Sequence, residues 1–403
     1  MKLRSYRSAS YRNKTVLYRA TYDISLAPRG NGWVVPDDTR LRETLPSLLW
    51  LKKRARKIVI LSWLGRPKRT GEPKFRMDPV ARRLGILLRH PVQKLDDCVG
   101  PDVERAIARA KAGSIFLLEN VRFHKEEEKN DPAFAKALAQ NADLFVQDAF
   151  GQSHRKVASI IGIPKYLDSY AGPLLEREVQ ALSRVVDRPK RPLVAIIGGG
   201  KVESESGIGG QRVPTKLRLI KKFLSQADFV LLGGVIANML LATFGLQTGR
   251  PTYDPLLLKF LRSCPPTNHK MKIPVDVVVA RDAGGRGFAR RAVGDVRPNE
   301  FIFDIGPDTV ALYGSILRKA RTVVWSGPLG LTEEPKFAYG TRSLGAILAK
   351  SRAESIVGGG DTLAALHKAK LLRDMSYAST AGGAMLEFLE RGTLPGLEPL
   401  RIR

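Results

Sequence analysis

The sequence predicts an α/β protein with parallel sheets in two series, joined by a long helix. Three observations carry this prediction. Short apolar runs alternate with longer amphipathic ones along the 403 residues. The short runs are apolar throughout rather than at every second position, as strands covered on both faces of a parallel sheet are. The alternation breaks once, at Ala171–Arg188, where Leu174, Leu175, Val179, Leu182 and Val185–Val186 recur at helical spacing before Pro189 and Pro192. A chain of this length suits two domains, here 1–170 and 189–388, with 171–188 as the connecting helix.

Strands of the first series are expected at 15–20, 57–62, 114–118 and 143–147. Helices are expected at Asp78–Leu88, Pro101–Ala112 and Asp131–Gln140. The second series places strands at 193–197, 228–232, 274–279, 321–325 and 355–357, with a helix at Pro255–Leu261. Phe229–Gly249 carries no charge and has the length of a membrane span. Gly233-Gly234, Asn238, Thr243 and Gln247 interrupt it, so it reads as a buried strand, a glycine turn and an apolar helix, with no membrane partner.

Apolar residues make up 43% and charged residues 26%, which excludes a disordered tail, a collagen and a disulfide-stapled miniprotein. Cys98 and Cys264 lack CxxC spacing, so a reducing compartment, the cytoplasm, is expected, without a zinc site. The Arg- and Ser-rich start has the composition of a transit peptide, but the strand-like run Thr15–Tyr18 begins too soon to leave much removable sequence. The net charge is +28, and residues 1–60 alone hold 14 basic and 4 acidic residues. Such an excess suits an anionic partner: nucleic acid, an acidic membrane or a phosphorylated substrate.

Four strands of the second half run into glycines: Gly198–Gly200 before Lys201, Gly233-Gly234, Gly358–Gly360 before Asp361-Thr362, and Gly382-Gly383 after Thr380-Ala381. Glycine lets backbone approach a phosphate, and a helix N-terminus offers free N–H groups there. Glycine turns at strand ends are where open α/β sheets bind ligands. Neither GxxxxGK[ST] nor GxGxxG is present, so the standard nucleotide fingerprints are not the mechanism. Asp361 suits either Mg²⁺ carried by a nucleotide or a helix N-cap. In the first half, Arg40, Arg66, Arg122 and Arg155 follow strands or turns, and converging guanidinium forks would bind a small polyanion.

At these segments the sequence resembles the phosphoglycerate kinase family, from about Val16 to Leu389. The motifs are Leu64-Gly65-Arg66-Pro67, Leu118–His124, Asp148-Ala149-Phe150-Gly151, Asp304-Ile305-Gly306-Pro307, Gly327-Pro328-Leu329-Gly330 and Gly358–Thr362. The resemblance implies two Rossmann-like domains separated by a cleft. The first would bind 3-phosphoglycerate or 1,3-bisphosphoglycerate, the second ADP or ATP with Mg²⁺. Residues 389–403 would return to the first domain, and the protein would be a monomer.

The same resemblance maps the acid-substrate site onto Thr21, Tyr22, Asp23, Arg40, Trp63, Leu64, Gly65, Arg66, Arg122 and Arg155. It maps the nucleotide site onto Lys201, Lys216, Glu333, Gly358, Gly359, Gly360, Asp361, Thr362, Gly382 and Gly383, with Asp361 on the metal and Glu333 on the ribose. Lys216 takes its place if 204–214 is an inserted loop. Arg40, Lys201 and Lys216 would be catalytic, because phosphoryl transfer needs positioning and charge stabilisation rather than covalent help. The chain departs from the family pattern at Thr21, Asp23, Trp63 (where the family has His), Ser326 and Ala381. Two other readings stand beside the kinase: a non-catalytic relative that only binds, and a basic nucleic-acid binder. No RNA or DNA motif supports a dedicated nucleic-acid role.

Overall fold

The computed structural model describes residues 1–200, 215–249 and 269–402. Lys201, the loop 204–214, the helix expected at 255–261 and Cys264 lie outside the described residues. The chain forms two compact units, Met1–Gln180 with Thr393–Arg403, and Ala181–Gly392.

The first unit holds strands β1 (Thr15–Arg19), β2 (Ala27–Arg29), β3 (Gly32–Val34), β4 (Lys57–Leu61), β5 (Gln93–Lys94), β6 (Ile115–Leu117), β7 (Leu144–Gln147) and β8 (Ser169–Ala171). Six of them form one parallel sheet in the order β5-β6-β4-β1-β7-β8. Val16 pairs with Ile58 and Leu144, and Arg19 with Leu61 and Gln147. Successive side chains enter two different cores. Val16, Tyr18, Ile58 and Ile60 face one, and Leu17, Val59 and Leu61 the other. Burial on both faces explains why β1 and β4 read as unbroken apolar runs. Each fully buried Leu or Ile contributes about 1.5–3 kcal/mol.

Because the strands are parallel, the carboxyl ends of β1, β4 and β7 share one edge, and the segments following them are brought together there. The hairpin β2–β3 carries too little apolar sequence to be anticipated. The last residues close onto this unit: Arg4 N–H donates to Leu400 O at 2.7 Å and Gly396 N–H to Ser153 O at 2.8 Å. The helix expected at 171–188 spans Pro173–Asp187, and the boundary between units falls within it. The returning segment begins at Thr393 rather than 389, because the helix Gly383–Arg391 belongs to the second unit.

The second unit holds β9 (Leu193–Ile197), β10 (Phe229–Leu232), β11 (Met271–Lys272), β12 (Asp276–Ala280), β13 (Ala289–Ala292), β14 (Phe301–Ile305), β15 (Thr322–Ser326), β16 (Glu354–Gly358) and β17 (Tyr377–Ser379). A parallel sheet runs β11-β10-β9-β15-β16-β17. The strand expected at 274–279 is β12, and it lies outside that sheet. It is the centre of an antiparallel three-stranded sheet, between β13 and β14. All five of its residues are buried, so its apolar run looks the same in either arrangement and conceals the strand direction. Phe229–Gly249 resolves into β10 and the ten-residue helix Gly234–Thr243. Among the described residues, no helix is long and apolar enough to cross a membrane.

Candidate active site

In the first unit, the segments after β1 and β4 are tied by Ser62. Its hydroxyl accepts the Tyr22 N–H at 2.9 Å and donates to Ala20 O at 2.9 Å. This fixes Asp23 beside the turn Leu64–Arg66. Asp23 Oδ1 accepts the Gly65 N–H at 2.7 Å, and Oδ2 accepts Trp63 Nε1–H at 3.3 Å. Arg40, in the first turn of the helix Thr39–Lys52, donates to the Asp23 carbonyl. Arg122 donates from Nη1 to Gly65 O at 2.7 Å and from Nε to Glu128 at 2.9 Å. Asn120 fastens this corner, since its amide oxygen accepts the N–H of both Leu64 and Arg122 at 3.1 Å.

Arg40, Arg122 and Asp23 thus gather at one strand edge. Burial draws Arg122 below its ordinary pKa, Glu128 and Asp23 act against that shift, and Arg155 adds to it. Arg66 adjoins them and is exposed. Arg19, which sequence reasoning did not single out, completes the cluster. It is fully buried, and burial lowers its guanidinium to about 10. Its position as the last residue of β1 was the available signal.

Tyr22 and Leu64 require correction as substrate-facing side chains. Tyr22 is 0% exposed and its hydroxyl bonds Thr44 Oγ1 at 2.8 Å, while Leu64 is 1% exposed, and both sit in the core beneath the sheet edge. Trp63 is also buried and gives its N–H to Asp23, so it offers no donor to a ligand. Thr21 is half-buried in the linking segment.

In the second unit, two cavities open at the carboxyl ends of the parallel strands. One, of ≈ 300 Å³, is walled by the glycine turns at 199–200, 327, 359–360 and 382–383, together with Lys216, Asp361 and Thr362. Lys216 stands in the first turn of the helix Thr215–Gln226, and its Nζ donates to Gly198 O at 3.0 Å. A cation at the positive end of a helix is unfavourable unless an anion joins it. Thr362 Oγ1 accepts the Gly327 N–H at 2.9 Å and locks two turns together. Gly327 has φ +89°, and a Cβ there would stand 2.1 Å from Gly198 O, so no side chain fits.

The second cavity, of ≈ 290 Å³, shares Gly199, Gly200, Pro328 and Asp361 with the first. Its walls are mainly apolar, from Val235, Ile302, Phe303, Leu329 and Leu331, with Asn238 as a polar insertion and the exposed Glu333 among its lining residues. Sequence reasoning missed this slot, because apolar wall residues look like core until the chain is folded. Buried Asp304 stiffens it by accepting the Gly340 N–H at 2.8 Å and the Ile305 N–H at 2.9 Å, and burial raises its carboxyl to about 7.

Gly358 also requires correction: it ends β16 beneath Met385 and lines neither cavity. Gly359 holds the N-cap position of the helix Gly360–Lys368, so Asp361 is its second residue and not its cap. A single carboxylate beside the backbone amides of glycine turns fits Mg²⁺, which takes one or two protein oxygens and completes its shell from other oxygens.

An apolar slot beside a pocket of backbone amides and a lysine, on the carboxyl edge of a parallel sheet, defines a nucleotide-binding α/β protein. The sequence matches the family model for phosphoglycerate kinase over residues 6–392. It is 40% identical over 404 residues to the phosphoglycerate kinase of Coprothermobacter proteolyticus, covering 99% of each chain. It is also 40% identical to the chloroplastic phosphoglycerate kinase of Volvox carteri, over 97% of this chain and 84% of that one. The solved phosphoglycerate kinase structure from Coxiella burnetii superposes with a TM-score of 0.84 at 38% identity, covering 99% of both chains. The chain belongs to the phosphoglycerate kinase family.

Proposed function

We propose that this protein transfers a phosphoryl group reversibly between 1,3-bisphosphoglycerate and ADP, giving 3-phosphoglycerate and ATP, as a cytoplasmic monomer. The observation that carries the reading is the pair of adjoining cavities in the second unit, one with mainly apolar walls and one walled by glycine turns and Lys216. The guanidinium cluster of the first unit supplies the complementary charge for a phosphorylated acid. In this reading the base enters the apolar slot and Glu333 takes the ribose hydroxyls. The amides at 359–360 and 382–383 cradle the phosphates.

Arg40 bears on the moving phosphoryl group from the acid side, with Arg66, Arg122 and Arg155 on the substrate's phosphate and carboxyl oxygens. Lys201 and Lys216 neutralise charge as it spreads over the transferring oxygens. Asp361 would hold the Mg²⁺ carried by the nucleotide, and that ion would supply Lewis-acid charge. In-line transfer requires the acid and the nucleotide to come within bonding reach, with water excluded from the mixed anhydride. Purified protein supplied with 3-phosphoglycerate and MgATP is expected to release ADP in a coupled assay. Folded protein that binds MgATP but releases none would replace the kinase reading with the binding one.

A further inference from the structure

Trp63 is the bulkiest departure in the first unit's pocket, and its surroundings are built around it. Two guanidinium groups lie over its ring, Arg122 at 4.0 Å and Arg19 at 4.6 Å from the centroid. Like charges this close repel, and the electron-rich indole face offsets part of that repulsion. Arg19 has particular need of it. The residue is 0% exposed, and its Nη2 has no hydrogen-bond partner. Its Nε donates to Ser159, which in turn donates to Glu127.

The edge of the same indole is held by Asp23, which receives two donors on its two oxygens, Trp63 Nε1–H and Gly65 N–H. A carboxylate presents one acceptor oxygen to each of these donors. An amide would turn an NH₂ towards one of the donors. Arg122 bonds Gly65 O, so the ring, the carboxylate, the turn and the guanidinium form one connected unit.

We infer that Trp63 and Asp23 are a coupled positioning pair that holds Arg122 and the Leu64–Arg66 turn in place for the acid substrate. Trp63 acts through Arg122 and does not touch the ligand. Asp23 is spent on the protein's own donors, so its charge is turned inward. This chain's acid pocket therefore reads its ligand through arginines braced by an internal indole–carboxylate contact. The inference rests on the proposed reading of this pocket as the acid-substrate site.

The test is a double-mutant cycle on the full chain, with KM for 3-phosphoglycerate, KM for MgATP, kcat and Tm measured throughout. Trp63→Phe keeps an aromatic plate and loses the N–H, stranding Asp23 Oδ2. Asp23→Asn sets an NH₂ against the indole N–H. Each single variant is expected to raise KM for 3-phosphoglycerate about tenfold, the cost of one unpaired buried group. The double variant leaves one unpaired group, the amide NH₂ facing a phenyl edge, and is expected to stay near tenfold, not the roughly hundredfold of independent sites.

Trp63→Ala, which also removes the plate, is expected to exceed Trp63→Phe, while KM for MgATP stays unchanged in all. An additive cycle, unchanged single variants, or an equal rise in KM for MgATP would overturn the inference. Turnover by the wild type tests the kinase reading separately. If the wild type is inactive, that reading fails, and the same cycle read in urea unfolding decides the pairing, with additivity again overturning it.

Discussion

In the proposed reading, the two units recognise anions with different materials. The first places side chains at the end of its sheet: Arg40, Arg66 and Arg122 at the edge, with Asp23 and Trp63 bracing Arg122 and the turn after β4. The second uses backbone, glycine turns tied to one another by Gly327 N–H on Thr362 and by Lys216 on Gly198. A side-chain pocket can be retuned one residue at a time, because each group brings its own charge and its own partners. A backbone pocket depends on conformations that only glycine adopts, so it resists change and fails abruptly when a Cβ is introduced.

Substitutions sharpen this contrast. The largest expected effect is on chemistry. Arg40→Ala should lower kcat by on the order of 10³-fold, as removal of a transition-state guanidinium does, with Tm nearly unchanged because the residue is only half-buried. A variant with near-normal turnover would break the role assigned to the first pocket. Next is Gly327→Ala, which forces a Cβ onto the Gly198 carbonyl. Urea unfolding should show a loss of about 2 kcal/mol or more, and calorimetry a fall of at least about tenfold in MgADP affinity. Here stability and binding fall together, whereas Arg40→Ala separates them.

Smaller effects come from pH. Asp304 titrates at about 7 in the folded protein, above the ordinary value of 3.8. The stability it contributes is complete below pH 3.8 and is lost as pH rises through 7. Asp304→Asn should therefore become more stable relative to the wild type between pH 4.5 and pH 8 in paired urea titrations. His154 of the first unit behaves in the opposite sense, since burial and Arg155 lower it to about 4 from 6.5. Its contribution is complete above pH 6.5 and is lost as pH falls through 4. His154→Gln should flatten the acid limb of the unfolding curve, and an unchanged acid limb would assign that loss to other groups.

Much of the fold was legible because apolar runs such as Lys57–Leu61 and Leu193–Ile197 are covered on both faces and admit no other reading. The strand Asp276–Ala280 was equally visible as a strand, yet its partners were not, since pairing direction leaves no trace in a run buried on every side. The polar parts of the pockets were legible through residue type, with arginines after strands and glycines before helices. The apolar slot of Val235, Phe303 and Leu331 was not, because the same residues line cores everywhere. Tyr22 and Leu64 were misread for a related reason: a motif names neighbouring residues without saying which of them points inward.

The sequence by itself determined two α/β units, their buried strands and the chemical types gathered near strand ends, because hydrophobic period and glycine placement are local properties. Only the tertiary structure decided that Asp23 answers Trp63 and Gly65 instead of facing outward, and that Lys216 meets Gly198. Those contacts join residues 18 to 42 positions apart in the chain. Hydrogen-bond directionality between such groups exists only once strand register has fixed where each one stands.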